Sequence, residues 1–164
     1  MISPSEALER LRAGNARFAA DTPGARADAR RRAELTAGQA PFAAVLGCAD
    51  SRVPVEAVFD QGLGELFTVR IAGNVAPSSV LGSLEFAVDE LGVPLIVVLG
   101  HTDCGAVKAT LASLRDGTEP PTPGLHAVVG QLAPALEALP EAGAAGGEAA
   151  LARRAERANV TAVA

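Results

Sequence analysis

Apolar and polar positions along this chain change period several times, and each change predicts an element. Leu8, Leu11, Asn15 and Phe18 recur at helical intervals, predicting an amino-terminal helix whose apolar stripe needs a partner surface. Ser3-Pro4-Ser5-Glu6 supplies its start, with capping-box spacing and a proline at the first helical position. Asp21 to Gln39 is polar and broken at Pro23-Gly24, with a helix expected over Arg26 to Leu35. Three short, continuously apolar runs then read as strands: Ala43-Ala44-Val45-Leu46, Leu66-Phe67-Thr68-Val69-Arg70 and Leu95-Ile96-Val97-Val98-Leu99. Between them fall a short helix from Pro54 through Phe59 and a longer one capped by Ser78 or Ser79, carrying Val80, Leu81, Leu84, Phe86, Val88 and Leu91. Helices are expected over Ala106 to Arg115, over Leu125 to Leu139 with an interruption near Pro134, and over Ala149 to Val163. A Pro-rich loop spans Thr118 to Gly124, and the Gly/Ala-rich stretch Glu141 to Glu148 is expected to be mobile.

Strands that alternate with helices, and that are apolar throughout rather than at every second position, belong in a parallel sheet covered by helices. The fold class is therefore α/β, with a central, mainly parallel sheet. Open sheets of this kind hold their ligands beyond the carboxyl ends of the strands.

With 164 residues and 49% hydrophobic content, the chain can bury a core as a single domain. Residues 1–40 form a helical arm, 41–116 the core and 117–164 the last helices. A net charge of -5 argues against a nucleic-acid surface, and Arg30-Arg31-Arg32 reads as a solvated helix face. No apolar run approaches the ~18 residues of a membrane span, and the amino end lacks the apolar core of a secretory leader. A cytoplasmic location is expected.

There are only two cysteines, and both sit at strand exits. Cys48-Ala49-Asp50-Ser51-Arg52 follows the first strand after Gly47, and His101-Thr102-Asp103-Cys104 follows the third after Gly100. Two thiols and an imidazole are the donors zinc prefers, and His-x-x-Cys lets one turn present two of them to one ion. Three firm ligands leave a fourth position for water or a carboxylate, the catalytic rather than the structural arrangement. Asp50 has two candidate roles, as that fourth ligand or as the acceptor that orients a bound water. Arg52 can form a bidentate pair with Asp50 and hold it off the metal. A disulfide or two inert buried thiols is the plainer alternative, and His101 and Asp50 beside them weigh against it. Asp103 reads as a turn residue, and His126, the one other histidine, as a surface residue rather than a proton shuttle.

Cys48-Ala49-Asp50-Ser51-Arg52, joined to Gly100-His101-Thr102-Asp103-Cys104-Gly105, closely resembles the two signature segments of the β-class carbonic anhydrases. The resemblance runs from Leu8 through the helix after Cys104. It implies one Zn2+ per subunit held by Cys48, His101 and Cys104, with Asp50 on or off the metal and the Asp50-Arg52 pair as the switch. It implies reversible hydration of CO2 to bicarbonate and a proton, through a zinc-bound water whose pKa falls from ~15.7 to near ~7. It also assigns Gln39, Phe67, Ala72, Phe86 and Gly105 to substrate binding. Gln39 is supplied across an interface, so that a homodimer or dimer-based higher oligomer is implied. The chain departs from the family at Ile71, where asparagine is common, and in lacking a closing strand and helices after residue 164. It is expected to be a truncated or short form whose exposed sheet edge needs cover.

Two other readings compete with CO2 hydration. The same hydroxide chemistry serves carbonyl sulfide or carbon disulfide, and a permanently ligated Asp50 makes a non-catalytic zinc module. A phosphate-binding α/β protein is more remote, because no Gly-rich loop follows the first strand.

Overall fold

Ser3 starts the first helix as its pattern predicts: the hydroxyl accepts the Glu6 N–H, the Glu6 carboxylate accepts the Ser3 N–H, and α1 runs over Pro4–Ala19. The computed structural model describes residues 2–25, 27–139 and 147–164. After α1 come α2 (Ala29–Glu34), β1 (Ala43–Cys48), α3 (Val55–Val58), β2 (Leu66–Ile71), α4 (Ser78–Asp89) and β3 (Ile96–Leu99). The chain continues through α5 (Gly105–Asp116), α6 (Pro123–Glu137) and α7 (Gly147–Val163). The strands make one parallel sheet in the order β2-β1-β3. Every residue of β1 is buried, whereas the flanking strands are partly exposed. β1 is the central strand, and its neighbours on both sides cover it.

Boundaries moved where local chemistry outweighed pattern. α2 starts at Ala29 rather than Arg26 because the Asp28 carboxylate caps it by accepting the Arg31 N–H. α4 opens at Ser78 itself, so the serines expected to cap it lie inside its first turn. α6 begins earlier than expected, with Thr122 capping and Pro123 in the first turn, and it continues through Pro134. Of the Gly/Ala-rich stretch from Glu141 to Glu148, residues 141–146 lie outside the described residues. No helix among the described residues is long and apolar enough to cross a membrane.

The chain divides into two compact units. The first comprises Met1–Leu46, Ser51–Val69 and Ser79–Val97. Here α1 corrects the sequence reading: its buried residues are Ala7, Leu11 and Gly14, while Phe18 is exposed. The face is chosen by close approach rather than bulk. Asn15 donates to the Val58 carbonyl at 2.9 Å, and α1 lies so near the end of α3 that only a glycine fits at position 14.

Asp60 ties this unit together. Its carboxylate, 2% exposed, pairs with Arg17 and accepts the N–H groups of Gly24 and Ala25. The Arg17 guanidinium, helped by the two amides, outweighs burial and holds the carboxyl below the usual carboxylate range. A depressed folded-state pKa contributes stability above the unfolded value of ~3.9 and loses it as pH falls through the folded value. The melting temperature is therefore expected to drop on acidification below about pH 4, and Asp60→Asn to flatten that limb. Parallel acid limbs in parent and variant would exclude this role.

The second unit comprises Gly47–Asp50, Arg70–Ser78 and Val98–Ala164, and so includes the carboxyl ends of all three strands. Val107, Leu132, Leu136 and Ala155, from α5, α6 and α7, pack with the sulfurs of Cys48 and Cys104 into one buried cluster. Gly73, at φ 71°, turns the chain after β2; a Cβ there would press on Ala106 and Leu132 at 3.1 Å.

Candidate metal centre

Every donor of the predicted ligand set falls in the second unit, because two strand ends deliver them. β1 terminates at Cys48, which is 5% exposed. β3 terminates at Leu99, and the turn behind it carries His101 and Cys104 before α5 begins. Cys48 Sγ, Cys104 Sγ and an imidazole nitrogen lie within 4.8 Å of one another. The sulfurs are 4.0 Å apart, and both cysteines are free. A disulfide stands at ~2.05 Å, whereas tetrahedral Zn–S bonds of ~2.3 Å separate two sulfurs by about 3.8 Å. The observed spacing excludes a disulfide and is close to that of two sulfurs on one ion.

The imidazole is oriented for the same purpose. His101 Nδ1 is 2.8 Å from the Thr102 carbonyl, which only accepts, so the proton sits on Nδ1 and donates there. Nε2 is left with its lone pair, buried and without a hydrogen-bond partner. A buried nitrogen lone pair costs free energy unless something meets it. Two sulfurs, a carbonyl-oriented imidazole and an orphaned Nε2 fit zinc.

The thiols differ in their surroundings. Cys48 is lowered, first by the Cys104 thiol that donates to it, and the Gly73 N–H also donates to its sulfur at 3.3 Å. Cys104 is raised, first by that same bond to Cys48 and then by burial. As N-cap of α5, Cys104 also lies where the helix dipole favours a thiolate once its proton leaves.

Asp50, the residue read as ligand or orienter, places its carboxylate Oδ2 3.8 Å from His101 Nε2 and is mostly buried, at 20% exposure. It stands beside the three-donor cluster. Arg70 fixes the backbone around it, donating from Nε to the Cys48 carbonyl at 2.9 Å and from Nη2 to the Asp50 carbonyl. Of the residues assigned to substrate, Ala72 and Gly105 belong to the same unit and are exposed, and a Cβ on Gly105 would meet nothing within 4 Å. Ile71 packs against the apolar cluster that holds both sulfurs. Asp103 turns the chain at φ 60° and pairs with Lys108 at 2.6 Å. His126 is exposed on α6.

The remaining assigned residues belong to the first unit. Gln39 and Arg52 are exposed, and the half-buried Phe67 stands 6.3 Å, ring centre to ring centre, from the exposed Phe86.

Sequence reasoning missed three residues around the donors: Arg70, Glu156 and Asn159. Glu156, 7% exposed, accepts the Cys104 N–H at 3.2 Å, and Asn159, 2% exposed, donates to the Gly73 carbonyl at 2.8 Å. A signal was available for two of them. Ala152, Ala155, Glu156 and Asn159 fall at the i, i+3, i+4, i+7 spacing of one helix face, so the buried stripe of α7 carries two polar side chains that need partners.

The profile of the carbonic anhydrase family matches residues 43–164. Carbonic anhydrase 2 of Mycobacterium tuberculosis is 56% identical over 119 residues, covering 72% of this chain and 58% of that protein. Among solved structures, the Coccomyxa β-carbonic anhydrase in complex with acetazolamide superposes with a TM-score of 0.72 at 26% identity, over 99% of this chain and 70% of that one. One of the tetrameric β-carbonic anhydrases of Sordaria macrospora superposes with a TM-score of 0.67 at 25% identity, over 80% and 66%. The chain spans about three fifths of the length of the curated relatives it matches. With its donor set at the ends of a parallel sheet and its match to that family over most of its length, the chain belongs to the β-class carbonic anhydrases.

Proposed function

We propose that this chain carries the zinc centre of an enzyme that interconverts carbon dioxide and bicarbonate. The observation that carries the reading is the cluster of Cys48 Sγ, Cys104 Sγ and an imidazole nitrogen of His101 within 4.8 Å of one another, with His101 Nε2 buried and lacking a hydrogen-bond partner. A zinc ion held by Cys48, His101 and Cys104 supplies Lewis acidity that makes water nucleophilic near neutral pH. The protein does the rest. Thr102 keeps the imidazole in the donor tautomer, and Gly73 and the start of α5 favour the two thiolates. Asp50, beside the imidazole, accepts a hydrogen bond from the reacting water and points its oxygen at the substrate carbon, and Arg52 holds Asp50 in that role. A C–O bond forms between water and CO2, one C=O electron pair moves to oxygen, and a proton leaves to buffer.

Gln39, Phe67, Ala72, Phe86 and Gly105 are assigned to the substrate, which has no charge and suits a mainly apolar surface. Gln39, exposed on its own subunit, is available to a second copy, and the reading includes a homodimer or a larger assembly built from it.

Rapid-mixing CO2 hydration on zinc-quantified protein tests the proposal. The rate is expected to scale with bound zinc, to vanish on chelation and to return with added zinc. Zinc-loaded protein that hydrates CO2 no faster than buffer would overturn the reading. Faster turnover of carbonyl sulfide by the same preparation would move the substrate assignment.

A further inference from the structure

The polar residues on the buried face of α7 have no place in the chemistry above, yet one binds the backbone of Cys104 and the other binds the glycine whose N–H donates to Cys48 Sγ. Glu156 Oε1 accepts the Cys104 N–H at 3.2 Å. Asn159 Nδ2 donates to the Gly73 carbonyl at 2.8 Å, and the N–H of that same glycine donates to Cys48 Sγ. Val160, one residue on, lies against Gly100, where a Cβ would come within 2.5 Å of its Cγ2; Gly100 immediately precedes His101. Three neighbouring residues of one helix thus touch the Cys104 turn, the loop after β2 that donates to Cys48 Sγ, and the residue before His101. Glu156 and Asn159 are both more than nine-tenths buried, so their hydrogen bonds are made in a setting where leaving them unmade is costly.

We infer that α7 is the template of the metal centre: Glu156 and Asn159 are positioning residues that fix where the two sulfurs stand, and Val160 seats the strand end that presents the imidazole. The inference rests on the zinc reading and deepens it. A backbone N–H held by a carboxylate cannot rotate, so Cys104 keeps the φ/ψ that aims Sγ at its partner. Asn159 holds the carbonyl on one side of the Gly73 Cα and Cys48 Sγ accepts the N–H on the other, so both peptide planes that meet at this glycine are tethered. Neither side chain touches the ion. Their contribution is geometric preorganisation, the outer contact whose loss costs metal proteins roughly 10–100-fold in affinity.

The test uses the whole chain with zinc alone and with cobalt as a spectroscopic stand-in. Glu156→Ala is expected to weaken zinc, measured by chelator competition, by about 10–100-fold, and to weaken the cobalt d–d bands that report tetrahedral geometry. Glu156→Gln keeps an oxygen acceptor and is expected to restore both readouts. Asn159→Ala is expected to act in the same direction through Cys48, giving a second route should Glu156→Ala fold poorly. Ala152→Gly lies on the same buried face and removes no hydrogen bond to a donor segment, so it reports what loss of helix stability alone does; it is expected to lower the melting temperature and leave zinc affinity unchanged. Parental zinc affinity and cobalt spectra in both alanine variants, or losses that only track the melting temperature as in Ala152→Gly, would overturn the inference. A parent chain that binds zinc without thiolate-to-cobalt charge transfer would instead overturn the zinc reading beneath it.

Discussion

Cys104→Ser is expected to empty the centre: zinc retained through gel filtration falls from about one ion per chain to near zero, and CO2 hydration falls with it. The expected loss of affinity exceeds ~100-fold, beyond what lost outer contacts cost, because a first donor is removed. Serine nearly preserves the volume of cysteine, so the buried cluster around Val107 and Leu132 keeps its packing. What changes is the donor. A hydroxyl is hard and stays protonated at neutral pH, whereas zinc selects the softer thiolate. The hydroxyl also enters a site only 2% exposed, at a cost of about 1–3 kcal/mol if it goes unpartnered, so the variant is expected to be somewhat less stable than the parent even without metal. The two effects separate on titration. Zinc raises the melting temperature of the parent by binding the folded state, and it is expected to leave that of Cys104→Ser where it was. A serine variant that still holds zinc with parental affinity would remove Cys104 from the donor set.

Gly14→Ala is expected to produce the largest loss of stability from a single methyl group. On helix propensity alone alanine should win by about 0.8–1 kcal/mol. Here the added Cβ would stand 1.7 Å from the Phe59 carbonyl oxygen, 2.8 Å from the carbonyl carbon and 2.6 Å from Gln61 Nε2. The first two are backbone atoms at the end of α3 and cannot rotate away, so α1 must lift and give up the Asn15 bond to Val58. Overpacking of this kind costs about 1–3 kcal/mol and occasionally more, and the closeness of the clash puts the expected loss near ~3 kcal/mol net. For a chain of this size that is a fall in melting temperature of about 6–12 °C. Thermal unfolding followed by far-UV circular dichroism measures it, and a variant as stable as the parent would show that α1 does not sit where the structure has it.

The cluster of Cys48, His101 and Cys104 was legible in the sequence because each motif is local. Gly47-Cys48 and Gly100-His101 announce strand ends, and His-x-x-Cys fits two donors into one turn. Whether those turns face one another depends on strand order, which follows from β1 lying between β2 and β3. The helix starts at Ser3 and Thr122 were equally local, readable or nearly so from capping chemistry. The misreading of α1 has the opposite cause. Leu8 and Phe18 have the bulk that a periodicity argument rewards, but the partner surface is a carbonyl at close range, and shape selected Ala7, Leu11 and Gly14. Arg70 shows a further limit. Its contacts are to main-chain carbonyls, which leave no trace in side-chain pattern.

Glu156 and Asn159 reach back across 52 and 86 residues to Cys104 and Gly73. A ribosome delivers the chain amino end first, so both sulfurs and the imidazole emerge before the helix that braces them has been made. A chain halted before α7 is therefore expected to hold those donors without the two bonds, and raw affinity then favours copper over zinc.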